Sequence, residues 1–227
     1  MNIKPILFSA PMIRAILREI EAPGTGKTQT RRIAQPQPEW IASSGRWKWA
    51  IPKAKQGGCD SVVTASREWH EYLLPHQLPY QAGALLWVRE AWRTEGRVDD
   101  KAPSKLEPHR WWLHYEADDP APAGWGRLRP SIHMPRWASR TTLRVTGVRC
   151  ERLQDISAID VEAEGLAQIS KDDQGWNWQD WSADHRVAYS RLWNSINGPN
   201  AWDRNPWVWA ITFRPIAGNV DQIKEAS

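Results

Sequence analysis

Met12 to Glu21 places Ile13, Ile16, Leu17 and Ile20 at i, i+3, i+4 and i+7, which is one apolar stripe of a helix. Pro11 suits its first turn and Gly24 lies just past its end. Ile3 to Phe8 before the helix reads as a short strand, and Thr28 to Ile33 after it is β-prone until Gln35 to Pro38 (QPQP) ends it. The order strand, helix, glycine turn, strand decides what Gly24-Thr25-Gly26-Lys27-Thr28 can be. A phosphate-binding P-loop needs G-x-x-x-x-G-K-[ST] between a strand and a following helix. Here Glu21 occupies the first glycine position, and the helix precedes the turn. Lys27 therefore does not stand at a helix N-terminus, where amides and dipole would hold a phosphate. A nucleoside triphosphate is not an expected partner. In an extended segment Thr28, Thr30 and Arg32 share one face, and Lys27 at the turn leans over it. An amine, a hydroxyl and a guanidinium converging there suit an amide or an anion. A basic, solvent-facing hairpin has the same spacing.

Further along, Ala84 to Val88 reads as a buried strand, and Trp111, Leu113 and Tyr115 alternate with Trp112 and His114 in another. Thr141, Leu143 and Val145 share one face of a third, and Gly147 shifts the alternation, which predicts a β-bulge. Trp207, Trp209, Ile211 and Phe213 alternate with Val208, Ala210 and Thr212 in a last strand. Ser157 to Leu166 reads as a short helix, with a capping box of Ser157 and Asp160 and with Gly165 at its end. Ala183 to Asn197 reads as a second clear helix, with Tyr189, Leu192, Trp193 and Ile196 on its stripe and Asn197-Gly198-Pro199 as its stop. Residues 39–82 show no clean period and read as an insertion with little regular structure, and residues 168–182 as a polar, Trp-rich loop. About six strands against three helices, without βαβ alternation, argue for an α+β protein built as a small β-barrel with peripheral helices. Residues 1–217 read as a single domain with insertions near 36–82 and 95–130, and 218–227 as a polar tail.

Charge and aromatic content narrow the classes of function. No apolar run reaches the length of a membrane span, and the N-terminus is a poor signal peptide. The only cysteines, Cys59 and Cys150, follow no framework pattern, which fits a reduced, cytoplasmic chain. No His pairs with a Cys at zinc spacing, so neither a metal nor a cofactor is expected. The net charge of +4 is matched by residues 1–33 alone, with six cations against two acids. Residues 120–150 hold Arg127, Arg129, Arg136, Arg140, Arg144 and Arg149 with no acid and no Lys, a composition suited to phosphate or carboxylate contacts. Seventeen Trp stand against two Phe. Some are core, and those in polar settings such as Gly175 to Trp181 could stack on bases or cover a loop.

GKTQTRR after an amphipathic helix resembles the G-x-K-x-x-x-x-R signature of ASCH domains, with Lys27 and Arg32 at the matching spacing. The signature glycine would fall on Thr25, flanked here by Gly24 and Gly26. Gly83 to Trp92, Thr141 to Leu166 and the final WVWAITFRPI are similar to further strand and helix blocks of that family, and Ser131 to Arg140 to its larger phage and prophage members. The resemblance implies a PUA-like barrel. It also implies two activities. One is an amidohydrolase that removes the acyl group from N(4)-acetylcytidine with a Lys, a Thr three residues later and a Glu on the later helix. The other is binding of RNA or of nucleic acid with modified bases, with RNA cleavage as a further alternative. Carried across, the catalytic group is Lys27, Thr30 and Glu164, with Arg32, His133, Arg136 and Trp137 as substrate-binding candidates. The partner is an acylated cytosine nucleoside, or RNA or DNA containing a modified base. A Thr hydroxyl needs a neighbouring base to become a nucleophile. Lys27 can be that base only if its pKa falls well below ~10.4, through desolvation or a cation such as Arg32. A buried Glu164 would hold it charged, so the two effects oppose each other.

Overall fold

The computed structural model describes residues 3–35, 37–41, 43, 46–50, 62–65, 80–108, 110–166 and 185–223. Its strands are β1 (Ile3–Leu7), β2 (Gln29–Ile33), β3 (Glu39–Ile41), β4 (Arg46–Ala50), β5 (Val62–Ala65), β6 (Leu85–Arg89), β7 (Trp92–Thr94), β8 (Leu113–Tyr115), β9 (Thr141–Arg152) and β10 (Trp207–Ala217). Its α-helices are α1 (Ala10–Glu21), α2 (Ala158–Ala163) and α3 (His185–Asn197). The protein is α+β, with a mixed five-stranded sheet in the order β1-β6-β9-β10-β2. Only β1 and β6 pair in parallel, and the other neighbours are antiparallel.

The sheet differs from the expected barrel in one respect. No ladder joins its edge strands β1 and β2, so among the described residues it does not close. Arg32 of β2 nevertheless reaches β1, where its Nη2 donates to the Leu7 carbonyl at 2.8 Å. The edges thus approach each other through a side chain rather than a backbone ladder. α1 carries the chain from one edge strand to the other and packs on β10. It buries Met12, Ile13, Ala15 and Ile16, while Leu17 and Ile20 of the sequence stripe lie partly buried against the same core. Ile13 and Ile16 are fully enclosed, and each such side chain stabilises the fold by about 1.5–3 kcal/mol.

The bulge expected at Gly147 is present. Thr212 faces Gly147 and Phe213 faces Val145, so Thr146 is the extra residue. The expectation of little regular structure over 39–82 needs correction, because β3, β4 and β5 form a three-stranded antiparallel sheet there. The strand expected from Trp111 shortens to β8, which pairs with β7. A second cluster of Trp92, Val98, Leu106, Met134 and Ala138 fills the space around them. The Trp-rich stretch 168–182 and Cys59 lie outside the described residues, as does the end of the polar tail from residue 224. Cys150 is a buried free thiol. Among the described residues no helix is long and apolar enough to cross a membrane.

Candidate functional site

Lys27 is placed by its backbone before its side chain does anything. Its N–H donates to the Ala15 carbonyl of α1 at 3.0 Å, and the next N–H, of Thr28, donates to Ala163 of α2 at 2.8 Å. The turn before it folds around Glu19, whose carboxylate accepts from the amides of Gly24 and Gly26. A Cβ on Gly26 would lie 2.2 Å from the Ala15 carbonyl oxygen, so only glycine lets this turn press against α1. The glycine that the approach requires is therefore Gly26, one residue after Thr25. Gly165 does the matching work on the other side. Its φ of +83° ends α2, and a Cβ there would meet Ala15 and Lys27 at 2.9 Å.

Glu164 is delivered by α2. The expected capping box is formed: the Ser157 hydroxyl accepts from the Asp160 N–H, and the Asp160 carboxylate accepts from the Ser157 N–H. The helix is short and ends at Glu164, directly before the left-handed Gly165. Its carboxylate thereby meets the start of β2 across 137 positions of chain. Lys27 Nζ donates to Glu164 Oε2 at 2.6 Å and to the Glu164 carbonyl at 2.7 Å. Lys27 is 1% exposed and Glu164 3%.

Thr30 completes the group expected from the sequence. Lys27, Thr30 and Glu164 all line one cleft of about 440 Å³, with Arg31 and Arg32. Its apolar walls come from Leu7, Phe8 and Met12 on one side and from Tyr189, Leu192, Trp193 and Ile196 of α3 on the other. Ile196 differs from its expected place in the helix stripe: it is 63% exposed at the cleft instead of packed in the core. Arg32 Nη1 donates to Thr30 Oγ1 at 2.8 Å. Its guanidinium lies 5.1 Å from the centre of the Phe8 ring, and Lys27 Nζ lies 5.9 Å from the same centre.

Arg31 belongs to this site although the sequence reading passed over it. It is 2% exposed. Nη1 bonds Glu164 Oε1 at 3.2 Å and Gln29 Oε1 at 2.7 Å, and Nη2 meets Glu151 at 2.6 Å and Asp160 at 3.3 Å. Tyr189 donates its hydroxyl to the same Oε1 of Glu164 at 3.3 Å. Strand alternation sets Arg31 on the face away from Thr30, which is why it was missed. The available signal was the double Arg, since a second buried guanidinium needs carboxylates and five acids follow in 151–164.

Electrostatics follow from burial and these contacts. Loss of water pushes the Lys27 ammonium below its ordinary range. Glu164 pulls it back up, Arg32 and Arg31 add to the fall, and burial prevails. Burial and the Glu164 charge push the Tyr189 phenol well above its ordinary value, so it serves as a neutral donor. Burial alone would raise Asp160, but hydrogen bonds from Ser157 and Gln29 and the Arg31 charge hold it at about 2.

The other substrate-binding candidates lie outside the cleft lining. His133 is exposed at the end of a 3-10 turn, Ser131–His133, of which Ser131 alone lines the cleft. Arg136 pairs with Asp221. Trp137 packs edge-on against Trp92 at 6.4 Å, beside the buried Met134. Of the HMPRW stretch, Met134 and Trp137 pack in the cluster around Trp92. Four of the six Arg in 120–150 carry carboxylate partners from elsewhere in the chain: Arg129 with Asp99, Arg136 with Asp221, Arg140 with Glu90 and Asp118, and Arg149 with Glu151 and Asp160. Among the described residues no group of three His, Cys, Asp or Glu is arranged to hold a metal ion. Comparison with protein-family models, with curated proteins and with solved structures finds no match to this chain.

Proposed function

We propose that the protein is an amidohydrolase that removes the acyl group from an N(4)-acylated cytosine, with Thr30 as nucleophile, Lys27 as general base and acid, and Glu164 as the partner that orients Lys27. The observation that carries this reading is the bond from Lys27 Nζ to Glu164 at 2.6 Å in the cleft that Thr30 also lines. Neutral Lys27 takes the Thr30 proton as Oγ attacks the acyl carbon. The ammonium then returns a proton to the exocyclic nitrogen as the C–N bond breaks and cytosine leaves. Water, activated by Lys27 in turn, hydrolyses the ester on Thr30 and releases the carboxylic acid. Arg32, already bonded to Oγ1, steadies the developing alkoxide. Phe8, Leu192 and Trp193 give the planar base apolar walls.

On this reading the chain is a larger ASCH-like protein. The near approach of the sheet edges through Arg32 and Leu7 supports taking the open sheet as a PUA-like barrel. A non-catalytic module for RNA or modified nucleic acid rested on the Arg of 120–150, and the carboxylate partners of four of them leave less charge for phosphates. Incubating the protein with N(4)-acetylcytidine and, in parallel, with labelled single-stranded RNA separates the readings. Release of cytidine and acetate is expected. Unchanged acetylcytidine, with salt-sensitive RNA binding or with cut RNA, would contradict the proposal.

A further inference from the structure

A base paired to a buried carboxylate presents a difficulty. In isolation such a carboxylate holds an amine as its ammonium, and an ammonium cannot accept the Thr30 proton. The arrangement around Glu164 bears on this directly. Its two oxygens are divided: Oε2 receives Lys27, while Oε1 receives Arg31 at 3.2 Å and Tyr189 at 3.3 Å. Arg31 is fixed in this position by Nε and Nη2 both donating to Glu151 Oε1, at 2.9 and 2.6 Å, and by Nη1 donating to the amide oxygen of Gln29. We propose that Arg31 is a positioning residue which, by occupying Oε1 of Glu164, confines Lys27 to Oε2 and keeps the amine able to give up its proton; the proposal rests on the reading of Lys27 as a base.

The charges facing Lys27 from each neighbouring element support this. β2 contributes Arg31 and Arg32 and α2 contributes Glu164, while Asp160 of α2 and Glu151 of β9 sit one contact further out on Arg31, and the half-exposed Arg149 of β9 beyond them. α3 contributes the neutral Tyr189. From α1, Glu19 is occupied by the turn amides and Arg18 bonds the Thr25 carbonyl. The charges that act most directly on Lys27 are one carboxylate, Glu164, and two guanidiniums, Arg31 and Arg32, and both guanidiniums favour loss of the Lys27 proton.

The test follows the Lys27 side chain by NMR across pH in the full chain, assigned by its disappearance in Lys27→Arg. Arg31→Gln is expected to raise the Lys27 titration midpoint by a unit or more, about tenfold in proton affinity. Glu151→Gln removes a carboxylate that offsets Arg31, and it is expected to move the midpoint the opposite way. A midpoint that stays put, or that moves in the same direction in both variants, would overturn the inference. If Arg31→Gln does not fold, a downward shift in Glu151→Gln supports the inference and an unmoved midpoint overturns it. The titration needs no substrate. Absence of amide hydrolysis with opposite shifts would remove the function and leave this inference standing, and turnover with unmoved midpoints would do the reverse.

Discussion

Glu164 shows what a single side chain carries here. Its carboxylate serves two buried basic side chains, Lys27 and Arg31. Glu164→Gln takes from Lys27 its carboxylate while Arg31 keeps Glu151 and Asp160, and it should destabilise the fold by about 3–5 kcal/mol. Lys27→Met leaves the carboxylate paired with Arg31 and Tyr189 and removes a buried amine, so it should cost less than about 2 kcal/mol. Urea unfolding of the two variants checks this, and equal costs would mean that Arg31 does not hold Glu164. That Lys27, Thr30 and Glu164 would meet was expected from the resemblance, since spacing alone also allowed a basic hairpin and a solvated acidic helix, and the three do line one cleft. Arg31 was not, because period-two alternation assigned it to the opposite face and could not show that α2 brings Glu164 within reach of its guanidinium. His133, Arg136 and Trp137 were singled out for chemically suggestive residue types. Types alone do not distinguish a Trp that packs on Trp92 from one that meets a substrate.

At the scale of elements, α1, α2 and the bulge in β9 were readable because each leaves a local mark: an apolar stripe, a Ser–Asp box, a glycine that breaks alternation. β3 to β5 leave no such mark, since their short runs lack regular alternation and are paired only through one another. The box makes α2 sensitive to acid. Asp160 lies below its ordinary value of 3.8, at about 2, so it adds stability above pH 3.8 that is lost as pH falls towards 2. Asp160→Asn should lower stability at pH 7 by about 0.5–2 kcal/mol and flatten the acid limb of the thermal midpoint. An unchanged acid limb would show that another carboxylate controls it. The turn before Lys27 is as demanding. Gly26→Ala sets a methyl against a helical carbonyl that has nowhere to move, and should cost about 1–3 kcal/mol with loss of the Lys27–Glu164 alignment. A thermal melt equal to that of the wild type would show that α1 and the turn can separate.

For the whole molecule, the fold brings the two edge strands and two later helices to one cleft. β1 and β2 are its edges, α1 links them, and α2 and α3 bring Glu164 and the apolar wall from residues beyond 157. The closed barrel expected from the sequence is not formed among the described residues; the edges meet through one side chain, Arg32, spanning to Leu7, and no periodicity encodes such a span. The most direct measurement compares kcat/KM for cytidine release from N(4)-acetylcytidine in the wild type and in Lys27→Ala, with the fold of the variant verified by circular dichroism. The account expects measurable turnover in the wild type and a loss of about a thousandfold or more in a folded Lys27→Ala, on the order of general base removal combined with loss of the activated nucleophile. Equal rates in the two proteins would contradict it.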